Sequence, residues 1–112
     1  MMIKSGIDLV YLPRFKKSLK NGGENFLRRV FLDSELVKTS PEHLAGIFAS
    51  KEAVIKALNL PSDSWHNIQI SHQKKGNPQV QLPTSHFPLH TSNLSISHDG
   101  NYVIAHFVAI LK

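Results

Sequence analysis

The sequence predicts an α+β fold in which helices pack on an antiparallel sheet. Apolar residues keep a helical period through most of the chain up to residue 59, then change to a period of two. Glycine-centred turns, Lys75-Gly76-Asn77 and Asp99-Gly100-Asn101, separate the later strand-like runs and read as hairpins. A run of helices followed by a run of antiparallel strands is the α+β pattern. The 112 residues suffice for one hydrophobic core, so residues 1–112 are expected to form a single domain.

Residues 3–12 hold Ile7, Leu9, Val10 and Leu12 around Asp8, and read as a mostly buried strand stopped by Pro13. Between Arg14 and Lys20, Phe15, Ser18 and Leu19 share one helical stripe, which Asn21-Gly22-Gly23 ends. Phe26, Leu27, Val30 and Phe31 return to helical spacing as far as Asp33. Asp33 or Ser34 can then cap a short helix with Glu35 in its first turn. The strongest helix spans residues 41–59. Ser40 is a natural N-cap, Pro41 suits the first helical position, and Glu42 favours the positive end of the dipole. Leu44, Ile47, Phe48, Ile55 and Leu58 form its apolar stripe. Ala45, Ala49, Ala53 and Ala57 recur every four residues, which lets another element approach closely; Pro61 bars continuation. Ile68 and Ile70, then Val80 and Leu82, alternate with polar residues on either side of the Gly76 turn. Residues 83–91, with two prolines and two histidines, read as a loop. Leu94, Ile96 and His98 alternate again, and Tyr102–Leu111 is a last apolar strand.

Lys and Arg number 13 against 8 Asp and Glu, a net charge of +5, with seven histidines adding to it in acid. Cysteine is absent, which excludes disulfides, thiolate nucleophiles and Cys-ligated metal centres. No apolar run approaches the roughly 20 residues of a membrane helix. Asp8 falls where a signal peptide would carry its apolar stretch. A cytoplasmic protein without membrane contact, facing a negatively charged partner, is expected.

Asp8, in the middle of an apolar run, is expensive to bury unless it is salt-bridged or holds a metal. Glu52 and Lys56, four residues apart on the long helix, share one face beside Phe48 and Ile55; Lys51, a quarter-turn away, reads as surface. A carboxylate from a strand, a second from a helix and a lysine beside it suit phosphoryl chemistry. Two carboxylates can hold Mg²⁺, which keeps waters and binds substrate phosphates. The lysine can neutralise a departing phosphate. Ser97-His98-Asp99-Gly100, at a strand end, can bind a phosphate, but neighbouring strand residues point to opposite faces and do not make a Ser–His nucleophile pair. His86 and His90 have a spacing that zinc sites use, yet Pro88 forbids a helix there. They read, with His43, His66 and His72, as surface or loop residues, and His106 as a satisfied core residue. Lys74-Lys75 and Arg28-Arg29 read as solvated faces. Neither a P-loop nor GxGxxG occurs.

These pieces together resemble a family. Gly6-Ile7-Asp8-Leu9-Val10 followed by Arg14-Phe15 looks like the opening motif of the holo-[acyl-carrier-protein] synthases, the small 4′-phosphopantetheinyl transferases. Phe31-Leu32-Asp33-Ser34-Glu35 is similar to their Phe-Thr-x-x-Glu stretch, with Leu for Thr. Leu44-Ala45-Gly46 and the run from Phe48 to Leu58 resemble their signature helix. Trp65, Gly76-Asn77-Pro78 and Ser95-Ile96-Ser97-His98 follow in the same order. The resemblance implies transfer of the 4′-phosphopantetheine arm of coenzyme A to a serine of apo acyl carrier protein, releasing adenosine 3′,5′-bisphosphate, a step of fatty acid biosynthesis. It implies that Asp8 and Glu52 hold Mg²⁺ and that Lys56 stabilises the transferring phosphate. It places Ser97, His98 and the turn from Gly76 to Pro78 against coenzyme A. It turns Arg14, Lys17 and Arg28 toward the acidic carrier protein, and it implies a homotrimer with active sites between subunits.

The sequence departs from the family where Glu42 and Ile47 replace arginines of the signature helix and where residues 59–64 shorten a Gly-rich stretch. These departures support a second reading, a degenerate member that binds carrier protein without transfer. A third is a non-catalytic basic nucleic-acid-binding domain that stacks bases on Trp65, Tyr11 or Tyr102. Its basic residues are scattered rather than gathered in a stripe.

Overall fold

Strand β1 (Met2–Tyr11) runs directly into helix α1 (Leu12–Val30). Pro13 lies in the first turn of α1, where its missing N–H leaves no hydrogen bond unmade, so it starts the helix as well as ending the strand. Inside α1, Gly23 sits at φ 51° and ψ −138°, which joins two helical stretches at a kink. The two stripes read on either side of Asn21-Gly22-Gly23 are those two stretches. A 3₁₀ turn (Asp33–Leu36) leads to α2 (Pro41–Leu58). Ser40 caps α2 by accepting the His43 N–H at 3.3 Å, and Asn59 closes it in the left-handed conformation. A second 3₁₀ turn (Ser64–Asn67) precedes the hairpin of β2 (Gln69–His72) and β3 (Pro78–Gln81), which turns at Gly76 with φ 88°. Strands β4 (Leu89–Asp99) and β5 (Tyr102–Leu111) follow. The computed structural model describes residues 1–82 and 88–112.

β1, β5 and β4 form an antiparallel sheet in that order, and β2 and β3 form a separate antiparallel pair. Its inner face carries Val10, Leu94, Val103, Ala105, Phe107 and Ala109, all buried beneath α2. The four alanines of α2 are buried as well. β1 is the element that the alanine stripe admits. A Cβ placed on Gly6 would collide with the Ala53 carbonyl oxygen and stand 2.7 Å from the Ala57 nitrogen. Only a glycine lets the backbones approach this closely, and Asp8 lies two residues farther along the same strand face.

Three sequence expectations need correction. β1 is not mostly buried: Ile7 and Leu9 are 54% and 61% exposed, because no second layer of this chain covers the outer face of the sheet among the described residues. His106 is not a core residue. It pairs across from Ile7 on that outer face and is exposed, while Ala105 and Phe107 point inward. The reading of residues 83–91 as a loop fails at Leu89, His90 and Thr91, which belong to β4, where Leu89 and Thr91 pair with the end of β5. An irregularity between Leu89 and Thr91 shifts the register, which hides the alternation in the sequence. Residues 83–87, and His86 with them, lie outside the described residues.

Candidate functional site

Because α2 lies against Gly6, its last turn passes beside Asp8. Lys56 Nζ donates to Asp8 Oδ1 at 2.9 Å and to the Ile7 carbonyl at 3.0 Å. Asp8 is largely buried, with a side chain 14% exposed, and this ion pair meets the cost of placing a carboxylate there. The pairing of Lys56 with Glu52 suggested by their helical spacing is replaced by this reach across to the strand. Glu52 has a different partner: its Oε1 accepts the Trp65 indole N–H at 3.0 Å.

Lys51 is the clearest surprise. It is not a surface residue; it is fully buried and bonds Glu35, also fully buried, at 2.6 Å. Its ammonium also donates to the Val30 carbonyl at 2.8 Å and the Trp65 carbonyl at 3.0 Å. The Glu35 carboxylate in turn accepts the backbone N–H groups of Leu32 and Ile70, each at 2.8 Å. Burial lowers the Lys51 pKa, and the bond and charge of Glu35 oppose that shift. One ion pair thus ties together the end of α1, both 3₁₀ turns, α2 and β2. Periodicity could not reveal it, because its partners lie 14 to 21 residues away in sequence.

Asp8 and Glu52 line a common cleft of about 230 Å³, together with Arg14, Ser18, Phe15, Phe26 and Phe48. Phe48 also stacks on Trp65, with ring centroids 6.3 Å apart. No group of three or more His, Cys, Asp or Glu side chains gathers to hold a metal among the described residues. The protein therefore offers two hard carboxylate donors in an open cleft. That is too few for a closed protein cage, but it fits Mg²⁺, which binds one or two carboxylates and fills its remaining positions with water and substrate phosphate.

A second cleft, of about 210 Å³, lies at the other end of α2 and shares no lining residue with the first. It brings together Gly76, Pro78 and His98, three of the expected coenzyme A contacts, with Glu42, His43, Gly46, Ile47, His72 and Ile96. His43 and His72, read from sequence as surface or loop residues, stack here with ring centroids 5.5 Å apart. Burial, then the charges of His72 and Lys38, hold the His43 pKa below 6.5. Ser97 is exposed and does not line this cleft, since it alternates with His98 along β4.

The three expected carrier-protein contacts all lie on α1. Arg14 lines the first cleft and lies 5.9 Å over the Tyr11 ring. Lys17 is exposed on α1. Arg28 pairs with Glu24 one helical turn earlier, at 3.2 Å. Its neighbour Arg29 does more than face solvent, stacking 5.9 Å over the Trp65 ring.

Two carboxylates and an arginine at one open cleft, with a lysine bound to one of the carboxylates, define the class: a protein equipped to move a phosphorylated group. A sequence profile described as the 4′-phosphopantetheinyl transferase superfamily matches residues 4–106, and the chain belongs to that family. A holo-[acyl-carrier-protein] synthase of Thermodesulfovibrio yellowstonii is 38% identical over 111 residues, covering 94% of this chain and 95% of the relative. One from Nautilia profundicola is 39% identical over 112 residues, covering 96% of this chain and 98% of the relative. The crystal structure of the Helicobacter pylori holo-[acyl-carrier-protein] synthase in complex with coenzyme A superimposes with a TM-score of 0.88 at 35% identity, covering 97% of this chain and all of that one. The fold and family expected from the sequence are those found.

Proposed function

We propose that this chain is a holo-[acyl-carrier-protein] synthase. It moves the 4′-phosphopantetheine arm of coenzyme A to a serine hydroxyl of apo acyl carrier protein. The serine hydroxyl releases its proton, ultimately to solvent, as its oxygen bonds phosphorus; the diphosphate P–O bond breaks, and adenosine 3′,5′-bisphosphate leaves. The observation that carries this reading is the near full-length kinship to such synthases in a chain whose Asp8 and Glu52 share a cleft, with Lys56 bound to Asp8.

Asp8 and Glu52 hold Mg²⁺, which when bound supplies positive charge at the coenzyme A diphosphate. Lys56 adds charge where the phosphate departs. Gly76, Pro78 and His98 face the nucleotide portion, while Ser97, on the opposite face of β4, stands outside that cleft. Arg14, Lys17 and Arg28 face the acidic carrier protein, with the Arg28 charge shared with Glu24. The protein acts in the cytoplasm as a homotrimer. Support for assembly comes from the exposed apolar residues Ile3, Ile7, Leu9, Tyr102 and Ile104 on the outer face of β1 and β5.

The test is mass spectrometry of apo carrier protein after incubation with this protein, coenzyme A and Mg²⁺. A mass gain equal to one phosphopantetheine is expected. Asp8→Ala and Glu52→Ala are expected to lose that transfer while keeping the far-ultraviolet dichroism of the parent. No gain across several carrier proteins overturns the activity. Coenzyme A binding without transfer assigns the chain to the degenerate reading. Full activity in either variant removes the site assignment.

A further inference from the structure

Trp65 is bound at both ends. Its indole N–H donates to Glu52 Oε1 at 3.0 Å, while its own carbonyl accepts from Lys51 Nζ at 3.0 Å. Lys51 is fully buried and locked by Glu35, so the anchor at the backbone end cannot drift. Phe48 and Arg29 hold the indole ring by stacking, with Phe48 at 6.3 Å between centroids and the Arg29 guanidinium 5.9 Å from the centroid. Lys51 and Glu52 are adjacent on α2. The helix therefore fixes the tryptophan through one residue and is itself served by the tryptophan at the next.

We infer that Trp65 is a positioning residue for Glu52: its N–H fixes one carboxylate oxygen and thereby sets the direction in which the other meets a cation. The inference rests on the proposed role of Glu52 as a Mg²⁺ ligand. A glutamate side chain has several rotatable bonds and, left free, spends much of its time pointing elsewhere. The indole N–H is a donor only, so it meets Glu52 through a carboxylate oxygen that accepts. Hydrogen-bond partners that orient metal ligands are worth about 10- to 100-fold in metal affinity.

Trp65 is the only tryptophan of the chain, which permits a substitution of one atom group. Global replacement of tryptophan by β-(3-benzothienyl)alanine puts sulfur where the N–H stands and keeps the ring size and stacking. Mg²⁺ affinity, titrated at fixed coenzyme A, is expected to fall about 10- to 100-fold. The thermal midpoint should stay near that of the parent, and kcat should recover at saturating Mg²⁺. Unchanged Mg²⁺ affinity overturns the inference. Glu52→Gln in the same titration separates the two levels. If it abolishes Mg²⁺ binding while the benzothienyl protein binds normally, Trp65 has no positioning role but Glu52 remains a ligand. If Glu52→Gln binds Mg²⁺ like the parent, the metal reading itself falls and takes the inference with it. A second measurement stands even if the benzothienyl protein does not fold. 5-Fluorotryptophan retains the N–H and gives a single fluorine resonance, which should shift on Mg²⁺ addition in the parent and stay fixed in Glu52→Gln. A parent resonance that does not move on saturation overturns the inference.

Discussion

A lysine with no exposed surface must have its donors met, and Lys51 has three acceptors: Glu35, the Val30 carbonyl and the Trp65 carbonyl. Such a pair adds little net stability over an apolar core, but removing one partner leaves the other charge stranded. Lys51→Met is expected to cost about 3–5 kcal/mol, and Glu35→Gln a comparable amount, by urea unfolding. Their effects should be strongly non-additive, because the first substitution already forfeits the pair. Additive losses would show that the two residues act separately. Part of the site was legible at this scale. Asp8, Glu52 and Lys56 stood out because charges in apolar surroundings demand a reason. Lys51 was misread because helical angle alone does not reveal a remote acceptor. Trp65 was noticed without its role, since nothing in the sequence says which carboxylate an indole will meet.

At the scale of elements, α2 connects both clefts: its N-terminal turn carries Glu42 and His43, and its last two turns carry Glu52 and Lys56. Its caps and its alanine spacing were legible because each satisfies a local rule. The identity of the element that approaches it was not, since that depends on a single glycine far upstream. The N-terminal end has a pH consequence. His43 is held below 6.5 by burial, by His72 of β2 facing it, and by Lys38. Glu42 and His98 line the same cleft, and the positive end of the helix dipole also disfavours a charged imidazole. A pKa lower in the folded state means that the unfolded chain takes up this proton first as pH falls. The His43 contribution is therefore present above pH 6.5 and lost on acidification below it. The urea midpoint of the parent is expected to fall from pH 7 to pH 5. His43→Gln should fall by less over the same interval, and an identical drop would exclude His43 as a source.

For the whole molecule, the order of helices and hairpins was legible because the apolar period turns from helical to two near residue 60. The burial of β1 was not, because an apolar outward face looks the same in sequence as an inward one. Leu9 pairs across from Ile104, and Tyr11 from Tyr102 with ring centroids 5.3 Å apart, so the exposed apolar surface runs across two strands. The net charge of +5 opposes self-association in general, yet this face carries apolar side chains at its centre. Within one chain, the cleft of Asp8 and Glu52 and the cleft of Gly76, Pro78 and His98 share no residue. On the proposed reading, coenzyme A has its diphosphate at the first cleft of one subunit and its nucleotide at the second cleft of another. Ile104 lines neither of these two clefts, so a charge there tests assembly without touching the chemistry. Ile104→Glu is expected to sediment as a folded monomer and to lose most transfer activity, while the parent sediments as a trimer. A monomeric variant with full kcat would show that one chain holds a complete site, and a variant that stays trimeric would move the interface elsewhere.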